Sequence, residues 1–398
     1  MTAAIQAREK QTNHPSRATS HGAESTPPQP GRLDVLIAGG GPAGVEAALS
    51  LERIAGGRVV TTIVAPEERF LHLPPAVLEP FAAGDGQRPG LERVAGAHVR
   101  RGTIVSVDSA SHEVRLGDGD VLGYDALLIA VGGIQRSPYP RALAFGTPDS
   151  AERMHGLIQD VEDGYIKRIA FVVPPAASWP LPIYELALMT AGRAFDMCAD
   201  VELTVVTSEP SPLALFGGDA SHEVATALAA VGIRVITATH AEMPRCDTLE
   251  LSPSRERLEV DRVVTVPILD GPAIDGLPHD AAGFLPVDAH GRVAGAPDVY
   301  AAGDATNFDI NQGGIACEQA DAAAEAIAAR AGVAIDPAPF APVLRGLLLT
   351  ERDARWLLRD LGSEPSAEAT AREPDWPRTK FLGRELSRLL GKFPARAG

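Results

Sequence analysis

The chain has 398 residues, 45% of them apolar and 22% charged, enough for two or three ordinary globular domains. Its formal charge of −16 argues against general nucleic-acid binding, which needs basic patches. The three cysteines (Cys198, Cys246, Cys317) lie far apart and the ten histidines form no cluster, which argues against a disulfide framework and a structural metal site. In chain order, residues 1–31 are rich in Thr, Ser, Pro and Gln and read as a disordered leader. Leu33 to Ala38 reads as a buried parallel strand, followed by a glycine turn, a helix from Pro42 to Ile54 and a strand from Val59 to Ala65. Thr103 to Val107 and Glu113 to Leu116 read as hairpin strands, and Tyr124 to Val131 as a further buried strand. A second block opens at Arg168. It has strands at 169–173, 201–207 and 234–237 and helices at 183–195 and 222–231. Val299 to Asp304 and an Ala-rich helix from Gly314 to Arg330 close the regular part. Such alternation predicts α/β architecture with parallel sheets and crossover helices.

The strongest local signal is Gly39-Gly-Gly41-Pro42-Ala43-Gly44, between a strand and a helix. That context is the one a dinucleotide fingerprint requires. Gly39 permits the tight turn, Gly41 lets the backbone approach a pyrophosphate, and Gly44 lets helix and strand pack closely. The helix N-terminus would stabilise the phosphates through its free N–H groups and dipole. The acidic residue that holds a ribose should end the second strand. Ala65 stands there, which leaves Glu67 as the substitute or as an ordinary loop residue.

Two further segments carry a resemblance. Tyr124-Asp125-Ala-Leu-Leu-Ile-Ala130-Val-Gly132-Gly133 resembles the Y-D-x-L-I-I-A-T-G-A segment of the FAD-dependent pyridine nucleotide-disulfide oxidoreductases. Val299-Tyr-Ala-Ala-Gly303-Asp304 resembles that superfamily's second FAD motif, whose aspartate bonds the ribityl chain. The resemblance therefore implies FAD as cofactor, with that role for Asp304. It also places Gly313, Gly314 and Ile315 at a helix N-terminus facing the pyrimidine end of the flavin. The implied fold has two Rossmann-like, doubly wound, three-layer dinucleotide-binding domains plus a C-terminal tail. Residues 32–150 and 271–331 would form the FAD domain, 151–270 a degenerate NAD-like domain, and 332–398 the tail.

Within the superfamily the chain is similar to the sulfide:quinone oxidoreductase and flavocytochrome c sulfide dehydrogenase branch. The similarity covers roughly residues 33–330 and rests on Phe70-Leu-His-Leu-Pro74, Thr204 to Pro210 with Phe216-Gly217, and Gly283-Phe-Leu-Pro-Val-Asp288. The departures narrow the chemistry. Where a nicotinamide-binding relative has a second G-x-G-x-x-G, this chain has Pro174-Pro-Ala-Ala-Ser-Trp179-Pro180. Proline removes the N–H groups of a phosphate cradle. Trp179 stands where the first redox cysteine of the sulfide enzymes belongs, and Asn311 replaces the lysine of their P-K-T-G.

These features predict an FAD-dependent oxidoreductase that passes electrons from a small-molecule donor to a quinone-like or other small acceptor. Trp179, Pro180, Tyr184 and Phe70 are candidates to line a pocket over the ring. Glu185 is either a catalytic or a structural carboxylate. The rival readings are a type II NADH dehydrogenase-like activity, a true sulfide:quinone reductase and a non-catalytic flavin-binding protein. No stretch reaches the roughly 20 apolar residues of a membrane span and the N-terminus has no signal-peptide core, so a cytoplasmic location is the expectation. From Thr379 to Phe393 an apolar stripe (Leu382, Leu386, Leu389, Leu390, Phe393) runs along a basic helix pattern. It suits peripheral contact with an anionic membrane face, or docking onto the protein's own body or a second subunit in a homodimer.

Overall fold

The computed structural model describes residues 31–70, 74–81, 90–350, 354–362 and 383–390. Residues 1–30 of the expected leader lie outside them. The first half begins with strand β1 (Leu33–Ala38), helix α1 (Pro42–Ala55), β2 (Val59–Ala65), the short α2 (Leu91–Ala95) and β3 (His98–Arg101). An antiparallel meander follows, β4 (Ile104–Asp108), β5 (Glu113–Leu116) and β6 (Val121–Gly123), and then β7 (Ala126–Ile129). The chain leaves through β8 (Ile134–Arg136) and β9 (Leu143–Ala144).

The second half repeats the plan with α3 (Ser150–Glu162), β10 (Arg168–Val173), α4 (Leu181–Asp196), β11 (Glu202–Thr207), α5 (Gly218–Ala230) and β12 (Arg234–Ile236). Its meander is β13 (His240–Arg245), β14 (Thr248–Ser252) and β15 (Arg257–Glu259), followed by β16 (Arg262–Thr265). The chain returns through β17 (Ile268–Asp270), which pairs antiparallel with β8. β18 (Val299–Ala301) and the long α6 (Gly313–Arg330) then complete the first half.

The two main sheets have the same design. One has the order β18-β7-β1-β2-β3 and the other β9-β16-β10-β11-β12, each five-stranded and parallel throughout. Their central strands are buried on both faces, so they read as continuous apolar runs. In β1, Val35 and Ile37 face a helical layer of α1 and α6, while Leu36 and Ala38 face the meander side. In β10, Ile169, Phe171 and Val173 face α3, α4 and α5, while Ala170 and Val172 face the second meander. Each half is thus three-layered, with helices on one face and an antiparallel meander on the other. The expected division at residue 150 falls one strand late, because β9 pairs with β16 and belongs to the second sheet.

Helices α4 and α5 start two and four residues before their expected starts, at Leu181 and Gly218. Pro182 sits in the first turn of α4, where a missing N–H costs nothing. In the tail, β19 (Val343–Leu349) and β20 (Ala354–Asp360) form an antiparallel hairpin that the sequence reading did not foresee. The basic amphipathic pattern appears as α7 (Leu386–Leu390), and Leu382 and Phe393 lie outside the described residues. Leu386 is fully buried, and Leu389 packs against the core shared by α1 and α6. Burying such a leucine contributes about 1.5–3 kcal/mol, so this part of the stripe docks onto the protein's own body. No described helix is long and apolar enough to cross a membrane.

Candidate functional site

A cleft of about 890 Å³ opens at the carboxyl ends of β1, β7 and β18, the place where a doubly wound sheet presents a ligand site. Gly39, Gly41, Pro42 and Ala43 line it, together with Ala130, Gly132, Gly303, Asp304 and Gly313. The turn glycines divide their work. Gly39 has φ +119°, and a Cβ there would stand 2.1 Å from the Ala130 carbonyl oxygen. Any side chain at Gly44 would meet the Gly39 carbonyl oxygen at 2.0 Å. Both positions serve packing, and Gly44 does so from outside the cleft wall. A Cβ at Gly41 meets nothing within 4 Å, so its bareness leaves room for a ligand. Among the described residues no side chain caps the N-terminus of α1, and its N–H groups and dipole end face the cleft.

Across the cleft, Gly303 has φ +75° and is wedged between Ala43 and Ala316, each 3.3 Å from where its Cβ would be. Asp304 follows it on the wall. Burial pushes its carboxyl above the usual range, and a hydrogen bond from Asn311 opposes that shift. Glu67 is exposed on the wall beside Ala65, within the region expected for a ribose partner. At the start of α6 only part of the expectation is met. Gly313 and Ala316 line the cleft. Gly314 and Ile315 do not: the Gln312 side chain folds back to accept the Ile315 N–H at 2.9 Å, and Ile315 is buried in the core of the second half.

Of the pocket candidates only Trp179 reaches the cleft, edge-on to Phe216 with ring centroids 5.9 Å apart. Phe70 is fully buried among α1, α2 and the first sheet. Tyr184 is fully buried, and its hydroxyl donates to Glu209 Oε2 at 2.6 Å. Glu185 is buried and accepts the Leu349 N–H at 2.9 Å. The cleft meets only the first residues of α4, and positions three and four residues on lie about 5 Å deeper in the domain. Glu185 is therefore a structural tie to the tail hairpin. The residues missed by sequence reasoning come from that hairpin: Arg345, Gly346 and Leu347 form one side of the cleft. Arg345 pairs with Glu318 of α6, and its carbonyl accepts from Gln312 at 3.2 Å. The only sequence signal was a pair of Leu-rich runs separated by Thr350-Glu-Arg-Asp353.

The turn between β10 and α4 differs from its counterpart. Seven residues, from Pro174 to Pro180, separate strand from helix, against three between β1 and α1. Glu209, just beyond β11, is turned inward, and Tyr184 and Thr207 both donate to it. Cys317 is buried, and its thiol approaches the Pro42 carbonyl at 3.6 Å. Burial, with Glu46 and Asp321 nearby, raises its pKa well above the ordinary thiol value. Cys198 and Cys246 are exposed, and none of the three is disulfide-bonded.

Two parallel-sheet domains, one with an open glycine cradle, define a two-dinucleotide-fold oxidoreductase. The chain belongs to the pyridine nucleotide-disulphide oxidoreductase family, matching it over residues 33–171 and 185–327. The interruption spans the proline turn. It is a flavin-dependent oxidoreductase with FAD as its cofactor, and the bare wall at Gly41 with the uncapped α1 fits that group. Among solved structures, the sulfide:quinone oxidoreductase of Aquifex aeolicus is similar with a TM-score of 0.77 at 17% identity, over 84% of this chain and 85% of that one. A NAD-dependent persulfide reductase from A. fulgidus gives 0.60 at 18%, over 81% of this chain and 63% of that one. The ferredoxin reductase for the CYP199A2 system of Rhodopseudomonas palustris gives 0.59 at 20%, over 82% and 88%. At these identities the likeness is one of fold.

Proposed function

We propose that this flavoprotein takes electrons from a small organic donor other than a nicotinamide nucleotide and passes them to a small quinone-like acceptor. The observation that carries this reading is the contrast between the two strand-to-helix turns: three glycines in the first, a longer proline-bearing turn and an inward-turned Glu209 in the second. The bound FAD supplies two-electron redox chemistry. The chain's own groups hold and orient it. The α1 N-terminus and Gly41 take the pyrophosphate, Glu67 the adenosine ribose, Asp304 the ribityl chain, and Gly313 the pyrimidine end. Trp179 and Leu347 give the remaining wall an apolar surface, which suits a flat uncharged ligand and excludes water. Cys317 stays protonated and buried, and so takes no part in disulfide exchange. With Leu386 and Leu389 spent on the protein's own core, the acceptor reaches the cleft by diffusion.

The test is an anaerobic titration of the FAD-loaded protein with NADH, NADPH and sulfide in parallel, followed by flavin absorbance. All three should reduce the flavin slowly, while a short-chain quinone should rapidly reoxidise photoreduced protein. Fast bleaching by micromolar NADH or NADPH would remove this reading. A chain that stays colourless after incubation with FAD would remove its foundation.

A further inference from the structure

The Asp304 turn is a single 3-10 turn, Gly303–Ala305, closed by the Thr306 N–H on the Gly303 carbonyl at 2.9 Å. It follows a three-residue strand, and Gly303 holds a left-handed conformation with φ +75° that few residues stabilise. Its amide N–H faces inward and donates to Gln319 Oε1 at 2.7 Å. The other end of the same amide, Gln319 Nε2, donates to the Thr306 hydroxyl at 3.1 Å. That hydroxyl donates in turn to the Gly303 carbonyl at 2.9 Å. Gln319 and Thr306 are both buried, at 5% and 1% exposure, so water does not substitute for either. One glutamine therefore grips the turn at both ends, on either side of Asp304.

Gln319 lies three residues beyond Ala316 on α6, on the same helix face. Ala316 is one of the two residues that wedge Gly303, and Ala43 of the first α1 turn is the other. The three segments that meet the flavin (the α1 start, the Asp304 turn and α6) thus cross at Gly303, and Gln319 locks the crossing. Gln319 does not line the cleft.

We propose that Gln319 is a positioning residue for the cofactor: through the Gly303 amide and the Thr306 hydroxyl it sets the place of the Asp304 carboxylate against the FAD ribityl chain. The inference rests on the reading of the cleft given above. Gln319→Leu removes both grips at nearly constant volume. Gln319→Glu keeps the acceptor for the Gly303 amide.

The experiment measures FAD affinity by reconstituting apoprotein and following flavin fluorescence, with melting temperatures of apo and FAD-loaded protein alongside. Gln319→Leu should weaken FAD binding at least tenfold and shrink the FAD-induced rise in Tm. Gln319→Glu should recover most of both. A residue that only supports the fold would lower apo and FAD-loaded Tm equally and leave the affinity unchanged, and that result overturns the proposal. Should Gln319→Leu fail to fold, Thr306→Val decides: weakened FAD binding supports the proposal and wild-type affinity overturns it. Wild-type apoprotein that takes up no FAD refutes the reading of the cleft itself. Wild type and Gln319→Leu that take it up equally refute this inference alone.

Discussion

The two halves of the molecule share a sheet order, a helical layer and a meander, yet only the first has a short all-glycine turn between strand and helix. They also share a less obvious feature. The helices that follow β1 and β10 each carry a glutamate at the fifth position, Glu46 in α1 and Glu185 in α4, and both are completely buried. Each accepts backbone N–H groups from the tail. Glu46 takes those of Glu385 and Leu386 at 2.7 Å each, and Glu185 takes that of Leu349 at 2.9 Å. The equivalent position thus anchors the tail in both halves. The turn three to seven residues long just before the helix is where the halves diverge. A fold can keep its architecture and its anchors while the turn between strand and helix changes in length and composition.

The largest test of that contrast is at the first turn. Gly39→Ala adds a Cβ 2.1 Å from a carbonyl oxygen at φ +119° and should cost about 3 kcal/mol or more, seen as loss of folded protein. Gly41→Val adds atoms only to open space. It should give folded, colourless protein with a normal far-UV CD spectrum. If both variants lose the fold alike, the division of labour between the glycines is wrong.

Next is the anchor of the first half. Burial, with Asp321 nearby, lifts the Glu46 carboxyl from 4.5 to about 7. A raised folded-state value means that the protonated form is favoured by folding. The contribution is complete below pH 4.5 and is lost as pH rises through about 7. It is worth on the order of 3 kcal/mol. Glu46→Gln stays neutral throughout, so its stability relative to wild type should improve from pH 5 to pH 8. Urea midpoints at the two pH values measure this, and a pH-independent difference would contradict it.

The anchor of the second half should matter less. Glu185→Leu leaves the Leu349 N–H unpaired and should cost about 1–3 kcal/mol without altering the flavin spectrum. Lost turnover at normal stability would return Glu185 to the chemistry. The smallest effect is expected from replacing both Pro174 and Pro175 with glycine. The loop is still too long and Glu209 is still engaged, so flavin reduction by NADH should stay at the wild-type rate. A large acceleration would show that the prolines alone closed the cradle.

The legible parts of this molecule were local ones. Gly39 to Gly44 and Val299 to Asp304 announce themselves because strand, turn and helix are contiguous, and their backbone demands fix residue types. Tyr184 and Phe70 were misplaced, and the role of Glu185 stayed open, because their partners lie elsewhere: Glu209 for Tyr184, the packed face of α1 for Phe70 and Leu349 for Glu185. No window of sequence contains those pairs. The hairpin at 343–360 was overlooked because its Leu-rich runs lack a clean alternation, being buried on one side and against α4. Gln319 and Glu46 did leave a trace, as polar residues inside Ala-rich helical stretches. That pattern signals a buried hydrogen-bonding duty without saying to what.

The insertion of the second half between β7 and β18 has a consequence for synthesis. The chain emerges N-terminus first. The β9–β12 and β16 sheet is complete once residue 265 is out, yet the flavin half, begun 110 residues before β9, still lacks its edge strand and α6. Until then the side of α1 that packs on α6 has no partner, and until residue 386 arrives Glu46 is without its backbone donors. The half that begins first is the half that finishes last. An FAD molecule therefore meets a finished cradle only after nearly the whole chain has been made.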